Sequence, residues 1–168
     1  YEQSLKSIQQ TEYMENLRDE FKKGTRPAGC ESCWQEEDAG KISKRQNSIY
    51  KMKKSLTNWT PDSEPTLKFI DFKLGNVCNL KCRICGSWSS SKWAQEEIDY
   101  EKAKGGDNIV AKRQLKEGGW PKRNPQFFEE LQDDLKHVEY FEFTGGEPFM
   151  IKDHFKILMH CVEKGYAG

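Results

Sequence analysis

Three cysteines, Cys78, Cys82 and Cys85, stand in one short stretch, Gly75-Asn76-Val77-Cys78-Asn79-Leu80-Lys81-Cys82-Arg83-Ile84-Cys85-Gly86. Thiolates are ligands for soft metals, and iron–sulfur clusters are held by cysteines spaced this closely. Three thiolates are one fewer than a cubane cluster takes, so such a site leaves one iron open to another ligand. A structural zinc site would need a fourth Cys or His nearby, and the nearest histidine in the sequence is His137. An odd set of cysteines in one loop cannot all pair as disulfides.

A second stretch, Val138-Glu139-Tyr140-Phe141-Glu142-Phe143-Thr144-Gly145-Gly146-Glu147-Pro148, reads as a short strand running into a turn. Gly145 and Gly146 allow backbone conformations and close approaches that other residues forbid. Glu147 places a carboxylate at the C-terminal end of a strand, where parallel α/β folds bind their ligands. Taken alone, Gly-Gly-Glu-Pro is equally an ordinary strand-to-helix turn.

A third group is Cys30-Glu31-Ser32-Cys33. A Cys-x-x-Cys pair is half of a tetrahedral metal site or a redox dithiol, and the absence of a surrounding βαβ pattern weakens the dithiol reading. The remaining cysteine, Cys161, falls in a helical apolar pattern with Phe155, Ile157, Leu158 and Val162 and reads as core.

The order C-x3-C-x2-C after an apparent strand, then Gly-Gly-Glu-Pro about sixty residues later, resembles the radical S-adenosylmethionine superfamily over about residues 67 to 168. The resemblance implies that Cys78, Cys82 and Cys85 hold a [4Fe–4S] cluster, with the fourth iron chelated by the amino and carboxylate groups of S-adenosylmethionine. It implies reductive cleavage of S-adenosylmethionine to methionine and a 5′-deoxyadenosyl radical, which abstracts hydrogen from a substrate. Gly145, Gly146 and Glu147 would lie against the methionine end, with Glu147 near the amino group. Ile84 stands where the family often places an aromatic residue beside the adenine.

Further upstream, the run Gly24-Thr25-Arg26-Pro27, Cys30-x-x-Cys33-Trp34 and Glu37-x-x-Gly40-x-x-Ser43-x-Arg45 resembles the auxiliary-cluster segment of SPASM or twitch modules. It implies Cys30 and Cys33 as ligands of an auxiliary [4Fe–4S] cluster whose other ligands lie elsewhere. Relatives with such segments often modify peptides or proteins, which makes these the implied substrate class. A reductant such as flavodoxin or ferredoxin is implied as partner. Two competing readings of the cysteines are a non-catalytic zinc- or iron–sulfur-binding module and an electron-carrying iron–sulfur protein.

Composition narrows the classes. The 168 residues include 27 basic and 27 acidic ones, which argues against a nucleic-acid coat or a polybasic membrane anchor. Mean hydropathy is −0.92, yet 12% of residues are aromatic, which argues against disorder. There is neither an apolar run of membrane-spanning length nor a signal-peptide pattern. Clustered cysteines without a secretory signal suggest a reducing compartment, and the expectation is cytoplasmic.

The elements that would position these residues follow from periodicity. Leu5, Ile8, Met14, Leu17 and Phe21 predict one helix over residues 3–22, stopped by Gly24 and Pro27. Residues 41–56 read as a basic helix and 57–66, with Pro61 and Pro65, as a linker. Residues 67–74 read as a strand, with Ile70, Phe72 and Leu74 on one face and Phe69, Asp71 and Lys73 on the other. Asp71 and Lys73 would then approach the cavity near the cysteine loop, the alternative being a local ion pair between them. A helix over 88–104, a polar insertion over 105–124, a helix through Phe127, Phe128, Leu131 and Leu135, the second strand and a helix over 151–164 complete the chain.

Strand–helix alternation implies parallel strands with right-handed crossovers. The expected fold class is α/β: the beginning of a parallel partial (β/α)6 radical S-adenosylmethionine barrel, preceded by a mostly helical Cys-x-x-Cys segment. The expected division is a partial auxiliary-cluster segment at 1–56, a linker at 57–66 and the N-terminal part of the barrel at 67–168. The first residue is Tyr1 and only two strands are evident, so the chain is expected to be a fragment and catalytically inert by itself.

Overall fold

The computed structural model describes residues 5–53 and 55–167. Residues 3 and 4 of the expected first helix, Lys54 of the expected basic helix and Gly168 lie outside this range. The chain is mixed α/β and mostly helical, with a two-stranded parallel sheet. The strands are β1 (Phe69–Phe72) and β2 (Tyr140–Phe143). The Tyr140 N–H donates to the Lys68 carbonyl and the Thr144 N–H to the Phe72 carbonyl, so both strands advance together. The chain divides into two compact units. Residues through Phe69 with His137–Tyr140 form one, and Ile70–Lys136 with the chain from Phe141 onward form the other.

In the first unit, the expected single helix over residues 3–22 is instead two, α1 (Leu5–Gln9) and α2 (Glu12–Lys22). Thr11 causes the break. Its hydroxyl donates to the Ile8 carbonyl at 2.8 Å and accepts the Met14 N–H at 3.4 Å, which caps a new helix. A Schellman ending closes α2: Gly24 takes φ 72°, its N–H reaches Phe21, and the Thr25 N–H reaches Glu20.

A short 3-10 turn, Ala28–Cys30, then leads into α3 (Glu31–Asp38). The basic helix is shorter than expected, α4 (Lys44–Lys51), and begins at a capping box between Ser43 and Gln46. Trp34 is the buried centre of this region. Its indole N–H donates to the Pro27 carbonyl at 2.9 Å, and the Arg45 and Arg26 guanidinium carbons lie 4.7 and 5.4 Å from its ring centroid.

The strand expected over 67–74 is shorter, Phe69–Phe72, and Phe69 and Ile70 are both half-buried, so the expected alternation emerges only over residues 71–74. Phe72 and Leu74 are buried, and Asp71 and Lys73 are exposed. Phe72 packs on Phe141 and Phe143, with ring centroids 5.7 and 5.8 Å apart. Between the strands lie α5 (Ser91–Ala103), α6 (Ile109–Glu117), α7 (Trp120–Arg123) and α8 (Gln126–Leu135), and α9 (Lys152–Glu163) follows β2. Residues 105–124, expected as a polar insertion, carry the two helices α6 and α7. Asn108 caps α6 by accepting the Ala111 N–H at 2.9 Å, and Ala111 is fully buried in a helix that packs against α5.

Leu131 and Leu135 from α8 and Ile157 and Cys161 from α9 complete this core. Burial also pushes the Cys161 thiol above its ordinary pKa, as suits a packing residue. No helix among the described residues is long and apolar enough to cross a membrane.

Candidate metal centre

The cysteine loop leaves β1 through Gly75 and Asn76. A Cβ on Gly75 would lie 2.5 Å from the Gly118 carbonyl oxygen, so only glycine permits this approach. Asn76 is buried and its side-chain amide donates to two carbonyls, Ser87 and Gln114, both at 3.1 Å. One side chain thus ties the start of the loop to its end and to α6. Gly118 is pressed so closely on Asn76 that a Cβ there would fall 1.8 Å from Oδ1.

The N-terminus of α5 frames the loop from its far end. The Ser91 hydroxyl accepts the Cys78 N–H at 3.2 Å, and the Ser91 N–H donates to Asn76 at 2.7 Å. Ser90 caps α5 by accepting the Trp93 N–H, and its hydroxyl donates to the Leu80 carbonyl at 2.7 Å. The Trp93 indole N–H reaches the Cys82 carbonyl at 3.1 Å. An ion pair between Lys81 and Glu96 ties the loop to α5 on the surface.

Cys78, Cys82 and Cys85 are all free thiols; Cys82 is exposed and the other two are half-buried. The Leu80 N–H lies 3.4 Å from the Cys78 sulfur, the kind of amide donation that cluster sulfurs accept. Ile84 points out, 92% exposed.

The Gly-Gly-Glu-Pro turn is seated on this loop. Gly145 and Gly146 take φ 76° and 63°. The Gly146 N–H donates to Ser89 at 3.0 Å and the Glu147 N–H to Val77 at 2.8 Å. A Cβ on Gly146 would lie 2.4 Å from the Val77 oxygen. The Glu147 carboxylate accepts the Phe149 N–H at 3.2 Å and so caps the 3-10 turn Pro148–Met150. Behind it, His154 is buried against Phe143 with Nδ1 at 3.1 Å from the Pro148 carbonyl.

Cys30 and Cys33 belong to the first unit. Both are half-buried; Cys30 precedes α3 and Cys33 lies in its first turn. Glu37 downstream is clasped by Arg45 at 3.0 and 2.6 Å and by the Ser43 hydroxyl at 2.5 Å. These hydrogen bonds, Arg45 foremost, hold the Glu37 carboxyl below the usual carboxylate range. Arg45, which lies over the Trp34 ring, thus links Trp34 to the hydrogen-bonded pair Glu37 and Ser43.

Among the described residues, no three His, Cys, Asp or Glu side chains converge as the ligands of one metal ion would. The donor chemistry nevertheless fits an iron–sulfur cluster: three free thiols in one loop and an amide on one sulfur. Sequence reasoning missed Asn76, Ser90, Ser91 and Trp93. A usable signal was the run Ser89-Ser90-Ser91 just before a helical pattern, because serines there cap helices and bond local backbone. Comparison with known proteins finds no family model, no curated protein and no solved structure that matches this chain.

Proposed function

We propose that the second unit carries a radical S-adenosylmethionine site, built on the first strands of a partial (β/α)6 barrel. Cys78, Cys82 and Cys85 would hold a [4Fe–4S] cluster, and Gly145, Gly146 and Glu147 would seat S-adenosylmethionine beside it. The observation that carries this reading is the pair of hydrogen bonds from Gly146 to Ser89 and from Glu147 to Val77. They join two motifs some sixty residues apart, each of which is ambiguous alone.

When bound, the cluster supplies one electron for cleavage of the cosubstrate's carbon–sulfur bond. The chain's own residues position and shield. The cysteines must be deprotonated to ligate, which bound iron favours. Asn76, Ser90 and Ser91 fix the loop's backbone, and Glu147 offers a carboxylate to the methionine ammonium. Cys30 and Cys33 would supply two ligands of an auxiliary [4Fe–4S] cluster. A peptide or protein substrate, a flavodoxin- or ferredoxin-type reductant and a cytoplasmic location complete the proposal.

Anaerobic reconstitution with iron and sulfide, followed by metal analysis and S-adenosylmethionine binding, tests it. The expected result is about four irons for the loop site and saturable binding of the cosubstrate. Zinc bound in place of iron would overturn the reading in favour of a structural module. Iron without cosubstrate binding would overturn it in favour of an electron carrier.

A further inference from the structure

We propose that Lys73 is the anion anchor of this site and receives the carboxylate of S-adenosylmethionine. The assignment rests on the reading just given. Lys73 follows β1 directly at its C-terminal end, on the exposed side of the strand. Its backbone is held by the Trp120 indole N–H, which donates to the Lys73 carbonyl at 3.0 Å.

The side chain is held as well. A Cβ on Gly145 would lie 2.5 Å from Lys73 Cγ and 2.9 Å from Cε. The missing side chain of Gly145 is therefore the groove in which the Lys73 stem lies. The ammonium ends 3.4 Å from the Ser89 hydroxyl, and the Ser89 carbonyl in turn accepts the Gly146 N–H. Lys73 thus delivers its charge to the seam between the turn and the cysteine loop.

That charge is uncommitted. Among the described residues no carboxylate lies within ion-pair distance of Lys73 Nζ, and the Ser89 contact is long for a hydrogen bond. Neighbouring Asp71 is engaged elsewhere, accepting the Thr144 hydroxyl at 2.8 Å. Although Lys73 is exposed, its stem lies against Gly145 and does not extend freely into water. A lysine ammonium is a compact point charge suited to a carboxylate. An amino acid carries an ammonium and a carboxylate on one carbon, so beside the iron that both groups would chelate, one protein anion and one protein cation complement it. The same turn supplies both: Glu147 from its own sequence, and Lys73 through its packing on Gly145.

The test is equilibrium binding of two probes, S-adenosylmethionine and its decarboxylated analogue, to the iron–sulfur-reconstituted chain and to its Lys73→Met variant. Methionine keeps an unbranched stem over Gly145 and removes only the charge. The expected result is an about tenfold or greater loss of S-adenosylmethionine affinity. The analogue should bind parent and variant within about twofold, and iron content should be unchanged. Equal losses for both probes, or no loss for either, overturns the assignment of Lys73 alone. Failure of the parent to bind S-adenosylmethionine removes the proposed function, and this assignment with it.

Discussion

The Glu147 N–H donates to the Val77 carbonyl at 2.8 Å, which plants the Gly-Gly-Glu-Pro turn on the residue preceding Cys78. The contact depends on Gly146. An alanine there carries the cost of a left-handed conformation, about 1–2 kcal/mol, and a Cβ 2.4 Å from the Val77 oxygen. Gly146→Ala is expected to destabilise the fold by more than about 2 kcal/mol. Denaturant midpoints at constant slope measure this; a midpoint equal to the parent's would mean that the turn does not rest on the loop.

The loop cysteines are expected to act as a set. Replacing Cys78, Cys82 or Cys85 with Ala should abolish the site-differentiated cluster, because two thiolates do not retain it. Iron and sulfide analysis of each reconstituted variant checks this, and a full, unchanged cluster signal in any one removes that residue from the ligand set.

Glu147 should matter for the cosubstrate and not for the iron. Glu147→Gln keeps an oxygen to accept the Phe149 N–H and removes the charge. Iron content should stay at the parent level while S-adenosylmethionine binding weakens roughly ten- to a hundredfold, the worth of one charge-assisted hydrogen bond. Equal affinities would reduce Glu147 to a turn residue.

Asn76 should behave as the loop's fastener. Asn76→Ala leaves the Ser87 and Gln114 carbonyls without their shared donor, a loss of about 1–3 kcal/mol. Hydrogen exchange of residues 77–91 should accelerate more than exchange in α9. Uniform acceleration across both would assign Asn76 to global stability instead.

Glu37 gives the first unit a defined acid sensitivity. Its carboxyl is depressed by Arg45 and then by Ser43, so its contribution is present above an ordinary glutamate pKa of about 4.3 and is lost as pH falls through the lower folded value. Asp38, paired with Arg26, shifts in the same direction. Denaturant midpoints of the parent should fall below about pH 4.3 more steeply than those of Glu37→Gln. Parallel pH profiles would show that the clasp contributes nothing to folding.

What the residues alone determined is what short-range spacing encodes. The three thiols of one loop, the glycine pair before Glu147, the buried–exposed alternation of Phe72, Lys73 and Leu74 and the core position of Cys161 all follow from periods and motifs of a few residues. Local signals also have local blind spots. Thr11 broke a helical pattern because one hydroxyl capped a new start, and α6 was hidden because glycines and polar residues flank a run of good helix formers. Only the tertiary structure decided which distant segments meet: Gly146 with Ser89, Asn76 with Gln114, and the Lys73 stem with Gly145. Those meetings depend on the parallel pairing of β1 with β2 and on the packing between them. The energy that selects such an arrangement is spread over the buried residues of the unit, and no single spacing records it.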